Sequence, residues 1–141
     1  MTEEIKATFI NLLENLVPMH RLLGVQVLEI SDGFVKMRFP FREEHIGDMR
    51  VQRLHGGFLS AAADICGGAA AMTQMKSPHD DVSTADMRID FLRPGKAKVI
   101  LVEGQIVHKT SRTIFVDMKI LHDDSEDLIA VGRGVFVIKH K

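Results

Sequence analysis

The chain lacks several features that would mark common protein classes. Cys66 is the only cysteine in 141 residues, so no disulfide can form within the chain. That suits a reducing cytoplasm, and the bland reading of Cys66 is a small buried hydrophobe. No apolar run approaches the ~20 residues needed to cross a bilayer. The acidic opening Met1-Thr2-Glu3-Glu4 is unlike a secretion signal, which starts basic. A cytoplasmic protein without a membrane partner is therefore expected. Lys and Arg number 18 against 19 Asp and Glu, and no basic run stands out, so nucleic acid is not an expected partner. His20, His45, His79, His108, His122 and His140 form no HxH or HxxxH pair, which gives a metal site little support. There is no Gly-x-Ser-x-Gly, so a serine-hydrolase elbow is unsupported.

What is present is ordinary in amount, with 45% hydrophobic and 26% charged residues, as in globular chains. The length suits a single domain over 1–141. Such a domain buries roughly 70% of the surface of its unfolded chain, enough for one good core. Ile5, Phe9, Leu12, Leu13, Leu16 and Val17 recur at helical spacing, which predicts an amphipathic helix closed by Pro18. Residues 25–30 and 34–39, joined by Ser31-Asp32-Gly33, predict a hairpin, and 40–54 read as a loop. Four β-rich stretches, 82–92, 98–108, 112–121 and 128–138, complete an α+β layout with an antiparallel sheet.

Between the hairpin and these strands lies GGFLSAAADICGGAAAMTQM, residues 56–75. Its length and alanine content predict a helix, and its apolar character predicts burial almost all round. Gly67 and Gly68 fall mid-helix, where each costs about 1 kcal/mol relative to alanine, so close approach of another backbone is expected there. Asp64 is the only charged residue between His55 and Lys76. A buried unpaired carboxylate is costly or shifts its pKa. Two readings are open for Asp64: a reactive acid, or a carboxylate bridging a neighbouring backbone group. His55-Gly56-Gly57 opens the same helix, where free N–H groups suit a developing negative charge such as the oxyanion of acyl transfer. The other reading of this tripeptide is a glycine-rich turn.

Gly57 and Asp64 are seven residues apart, so they face nearly the same way but are separated by a rise of roughly 10 Å. One helix cannot bring both to one reacting carbonyl, whereas two antiparallel copies can. A homodimer with a site across its interface is expected, and pairing would also cover sheet edges.

Leu54-His55-Gly56-Gly57, then Asp64, then TADMRIDFLRPG at 84–95, resembles the PaaI-type acyl-CoA thioesterases of the 4-hydroxybenzoyl-CoA thioesterase-like hotdog superfamily. The resemblance covers roughly residues 20–138. It implies a hotdog fold, a long helix wrapped by an antiparallel sheet, paired into dimers and often tetramers. It implies an acyl-CoA substrate and no metal or redox cofactor. Asp64 matches the family's acid, which activates water or attacks the thioester directly. The Gly57 N–H matches the group polarising the carbonyl, and His55 the motif histidine, with Gly56 beside it. Thr84 falls where relatives carry Ser or Thr near the thioester. Where many relatives have Gly-Asn-Pro, this chain has Gly47-Asp48-Met49. Asp48 is the candidate replacement, and a second carboxylate close by would raise the pKa of one of the pair. Arg93, Lys109 and Arg112 are candidates for the CoA nucleotide, against the alternative of solvated loop charges. The acyl group is open among aryl, short and medium chains. The rival from another class is a non-catalytic acyl-CoA binding module, against which the retained Asp64 argues. A hydratase on the same fold would want an additional acid or His motif that is missing.

Overall fold

The computed structural model describes residues 1–141. The chain opens with α1 (Glu3–Asn11), capped by Thr2, whose hydroxyl accepts the Ile5 N–H at 3.3 Å. A π-helical turn, Leu12–Leu16, leads into α2 (Pro18–Leu23). The helix expected up to Pro18 is present as α1 and its π-helical continuation, and a second helix follows it. Pro18 opens the second helix rather than merely closing the first, because its missing N–H and fixed φ suit a first helical position.

The strands are β1 (Gln26–Ser31), β2 (Phe34–Phe39), β3 (Ile46–Asp48), β4 (Arg53–Leu54), β5 (Asp81–Phe91), β6 (Ile100–Lys109), β7 (Thr113–His122) and β8 (Leu128–Lys139). Six form one antiparallel sheet in the order β1-β2-β6-β7-β8-β5. β3 and β4 pair separately, inside the stretch expected to be loop; strands of three and two residues are too short to show a period.

The central helix, α3 (Gly56–Met72), lies on the sheet and packs against β2, β5, β6, β7 and β8. This is the α+β hotdog layout. The grip is close at Gly104 of β6, where a Cβ would stand 2.9 Å from the Cys66 carbonyl oxygen. Gly67 is tightly packed, but against side chains rather than the expected backbone: a Cβ there would meet Met118 Sδ and Phe136 Cζ at 3.0 Å. Gly68 is not: its Cβ would meet only Phe136, at an ordinary 3.6 Å.

Burial of α3 is one-sided, contrary to the expectation of burial all round. Phe58, Leu59, Ala62, Ala63, Ile65 and Cys66 are among the residues it buries against the sheet. Gly57, Ser60, Ala61, Asp64, Gly68 and Met72 are not fully buried, and they recur at three- and four-residue spacing, which is one helix face. Alanine and glycine are apolar on every side, so the composition hid this open stripe. β5, one edge of the sheet, is half-exposed to exposed along its whole length.

Candidate active site at the start of the central helix

The site is built where the β3–β4 hairpin feeds α3. The carbonyl of His45 accepts the His55 N–H at 2.8 Å, which fixes the last residue before the helix. The His45 ring is buried and stacks on Phe58 of the first helical turn, centroids 3.8 Å apart and planes 11° apart. Burial, helped by the nearby Arg42 charge, lowers the His45 pKa, which favours the neutral ring. His45 Nδ1 is buried without a hydrogen-bond partner. Sequence reasoning missed this residue: it shares no spacing with another histidine that would single it out.

His55 is the N-cap of α3. Its Nδ1 accepts the Gly57 N–H at 2.8 Å, so in the neutral ring the proton sits on Nε2. The Gly57 N–H, expected to be free for a substrate, is therefore engaged within the chain. The Gly56 N–H has no acceptor in the chain. At the first position of a helix an N–H points outward without an intrahelical partner. Gly56 is a free donor at this site.

Asp64 lies two turns further on, on the open stripe. It is not fully buried, which corrects the expectation of burial, and it is paired with a side chain rather than a backbone group: Thr84 Oγ1 of β5 donates to its Oδ1 at 2.8 Å. Asp64 and Thr84 are thus brought together. Gly56 and Asp64 are eight residues apart on one helix, a rise of about 12 Å.

Asp48 does not form a carboxylate pair with a raised pKa. Its Oδ1 accepts from Arg50 N at 3.0 Å and Arg50 Nε at 3.3 Å, and its Oδ2 from Arg50 Nη2 and Arg53 Nη2 at 3.1 Å each. These bonds, those from Arg50 first, hold its carboxyl below the usual range. The shift is opposite to the one two adjacent carboxylates would give.

The three candidate cations for the nucleotide part company. Arg93 lines a cleft with Arg53, Gly56 and Phe91, and pairs with Asp127 at 3.3 Å. Lys109 donates to Gln74 just past the end of α3, about 24 Å along the helix from its start. Arg112 sits in the β6–β7 turn, where its carbonyl accepts the Ile138 N–H at 2.9 Å. Of these three, only Arg93 is near Gly56 within one chain. Arg88, expected to pair with Asp90, does so at 3.1 Å. Cys66 is buried with Sγ 3.4 Å from the carbonyls of Val35 and Val102, and burial pushes its thiol pKa up, which leaves it inert.

An antiparallel six-stranded sheet packed on one long helix is the layout of the hotdog thioesterases. The sequence profile of the thioesterase superfamily matches residues 52–129, more than half of the chain, and the chain belongs to that superfamily. It is 30% identical to SSO1253, a candidate esterase of Saccharolobus solfataricus, over 82% of this chain and 74% of that protein. It is 21% identical to YigI of Escherichia coli, named a medium/long-chain acyl-CoA thioesterase, over 86% of each. Among solved structures, the E. coli PaaI protein of the phenylacetic acid degradation operon superposes with a TM-score of 0.79 at 22% identity. That superposition covers 94% of this chain and 88% of the other and shows a shared fold.

Proposed function

We propose that this thioester hydrolase acts on acyl-CoA, at two equivalent sites shared across a homodimer. The observation that carries this reading is the separation of the free Gly56 N–H from Asp64 by about 12 Å along one helix. No single carbonyl can touch both. An antiparallel second copy laid on the open stripe sets Gly56 of one chain against Asp64 of the other. The small residues Gly57, Ser60, Ala61 and Gly68 allow two helices to approach closely. The exposed Phe91 and Leu92 at the end of β5 add apolar surface for the same contact.

In this arrangement the thioester carbonyl oxygen accepts from the Gly56 N–H. Asp64, oriented by Thr84, takes a proton from water as the water oxygen adds to the carbonyl carbon. The negative charge that develops on the carbonyl oxygen is held by Gly56 and the helix start. The C–S bond then breaks, CoA leaves as the thiolate, and the proton passes to it. Direct attack by an Asp64 oxygen, through an anhydride that water then opens, is the second route open to the same groups. The chemistry calls for no metal or redox cofactor. His55 serves as the cap that occupies Gly57 and leaves Gly56 as the donor. Asp48, taken up by two arginines, is given no role at the thioester. Arg93 lies near the site of its own chain, whereas Lys109 and Arg112 would reach a substrate only from another copy, the dimer partner or a second dimer in a tetramer. One core serving the whole chain supports a single domain, and the lone cysteine a cytoplasmic setting. No helix is long and apolar enough to cross a membrane.

The test is release of CoA thiol from aryl-, short- and medium-chain acyl-CoAs by wild type and Asp64→Ala, with the mass of each in solution. Turnover by wild type and its loss in a folded Asp64→Ala dimer supports the reading. Binding of acyl-CoA without thiol release replaces it with a binding module.

A further inference from the structure

The β3–β4 hairpin carries two cations that the site does not use. Asp48 anchors both, and the partition of exposure is clear: its side chain is 16% exposed, against 88% for Arg50 and 47% for Arg53. The carboxylate is covered while the guanidinium groups face outward. Two cations against one anion leave a local positive charge. Each guanidinium has five N–H donors, and Nη1 of both arginines is uncommitted.

The hairpin holds this geometry before any ligand arrives. Gln52 takes a left-handed φ of 52°, and its side-chain amide donates to the Met49 carbonyl at 2.9 Å. Ile46 pairs with Leu54, and the Leu54 N–H donates to Gly95 at 2.9 Å. Gly47 presses on His55, since a Cβ there would lie 2.8 Å from the His55 Cα, so hairpin and helix start are packed backbone against backbone.

Two clefts meet at this point. One, of about 570 Å³, is lined by Asp48, Arg50, Arg53, His55 and Gly56 among others. The second, of about 390 Å³, shares Arg53 and Gly56 and adds Phe91 and Arg93. Arg53 and Gly56 therefore line both clefts. An extended pantetheine arm places its diphosphate roughly 15 Å from the thioester, about thirteen bonds of ~1.5 Å in staggered form. Three residues of extended backbone from Gly56 to Arg53 cover about 10 Å, and an arginine side chain about 6 Å more. The reach matches.

We infer that Arg50 and Arg53 bind the phosphates of the CoA nucleotide, with Arg93 continuing the same track. Arginine forks suit phosphate oxygens. The inference rests on the acyl-CoA reading above and deepens it.

The experiment compares KM and kcat for one acyl group carried on CoA and on pantetheine, which lacks the nucleotide phosphates, in wild type, Arg50→Ala and Arg53→Ala. Calorimetry with CoA itself runs alongside. Each variant is expected to raise KM for acyl-CoA by about tenfold, to leave kcat unchanged, and to leave both constants for acyl-pantetheine unchanged. An equal loss with both carriers, or a loss confined to acyl groups that bear their own carboxylate, overturns the inference and leaves hydrolysis standing. An unchanged KM does the same. Should no thioester be turned over, weaker CoA binding by the variants still supports the phosphate site while the hydrolysis reading falls. Unaltered CoA binding overturns the site.

Discussion

Thr84 Oγ1 donates to Asp64 Oδ1 across 2.8 Å, tying the edge strand β5 to the open face of α3. This bond fixes one carboxylate oxygen and leaves the other with no partner in the chain. Thr84→Val is expected to lower kcat about tenfold, the scale of a hydrogen bond to a charged group, with little change in KM. Thr84→Ser keeps the hydroxyl and is expected to stay close to wild type. Steady-state kinetics with one acyl-CoA decides it, and equal kcat for the valine and serine variants would remove Thr84 from the site.

The His55 cap makes a separate prediction about stability. His55→Ala leaves the Gly57 N–H without its acceptor and is expected to cost about 1 kcal/mol. His55→Asn restores a capping oxygen and most of that loss. Denaturant unfolding of both variants measures it.

Asp80 gives a pH dependence with a defined sign. Its carboxylate is held by the Lys76 N–H at 2.8 Å, by His140 Nδ1 at 2.6 Å and by the Lys141 N–H at 3.1 Å. These partners, the Lys76 N–H first, hold its pKa down at about 2. A carboxylate whose folded pKa is depressed contributes stability that is full above its unfolded pKa of about 3.9 and is lost as pH falls through about 2. Asp80→Asn is therefore expected to flatten the stability profile between about pH 4 and pH 2. Thermal melts of wild type and variant across that range should converge as the pH falls, and parallel profiles would contradict the assignment.

The two kinds of glycine contact with α3 predict opposite outcomes. Gly104→Ala drives a Cβ to 2.9 Å from the Cys66 carbonyl and is expected to destabilise by about 1–3 kcal/mol. Gly68→Ala meets only an ordinary contact within the chain and gains helix propensity of up to about 1 kcal/mol. Since Gly68 lies on the open stripe, the same change is expected to weaken the dimer, which sedimentation at falling concentration would show.

Much of this was legible in the sequence, for identifiable reasons. β2 falls on 34–39 as read, because alternation on a one-sided sheet leaves a period. α3 begins at Gly56 as read, although it ends at Met72, before Gln74 and Met75. The motif residues His55, Gly56 and Asp64 stood out because charge and histidine are rare in that apolar stretch. What periodicity cannot encode is the direction of a single side chain. The turn of His55 back onto Gly57, which transfers the free N–H to Gly56, is one such detail. The capture of Asp48 by Arg50 and Arg53 is another: Asp48 reads in sequence as a replacement for an asparagine at the site, and the stretch around it has no period to show where its side chain turns. The open face of α3 was hidden because alanine and glycine give no sign of which side is covered.

The most direct test of the shared site mixes two inactive variants. Asp64→Ala removes the carboxylate. Gly56→Pro removes the N–H at a first helical position that tolerates proline, following a residue already in extended conformation. Each homodimer is expected to be inactive. After denaturation and refolding together, half of the dimers carry one of each chain, and in each of these one site keeps both Gly56 and Asp64. The account predicts recovery of about a quarter of wild-type thiol release. A mixture as inactive as its parents would contradict a site built from two chains.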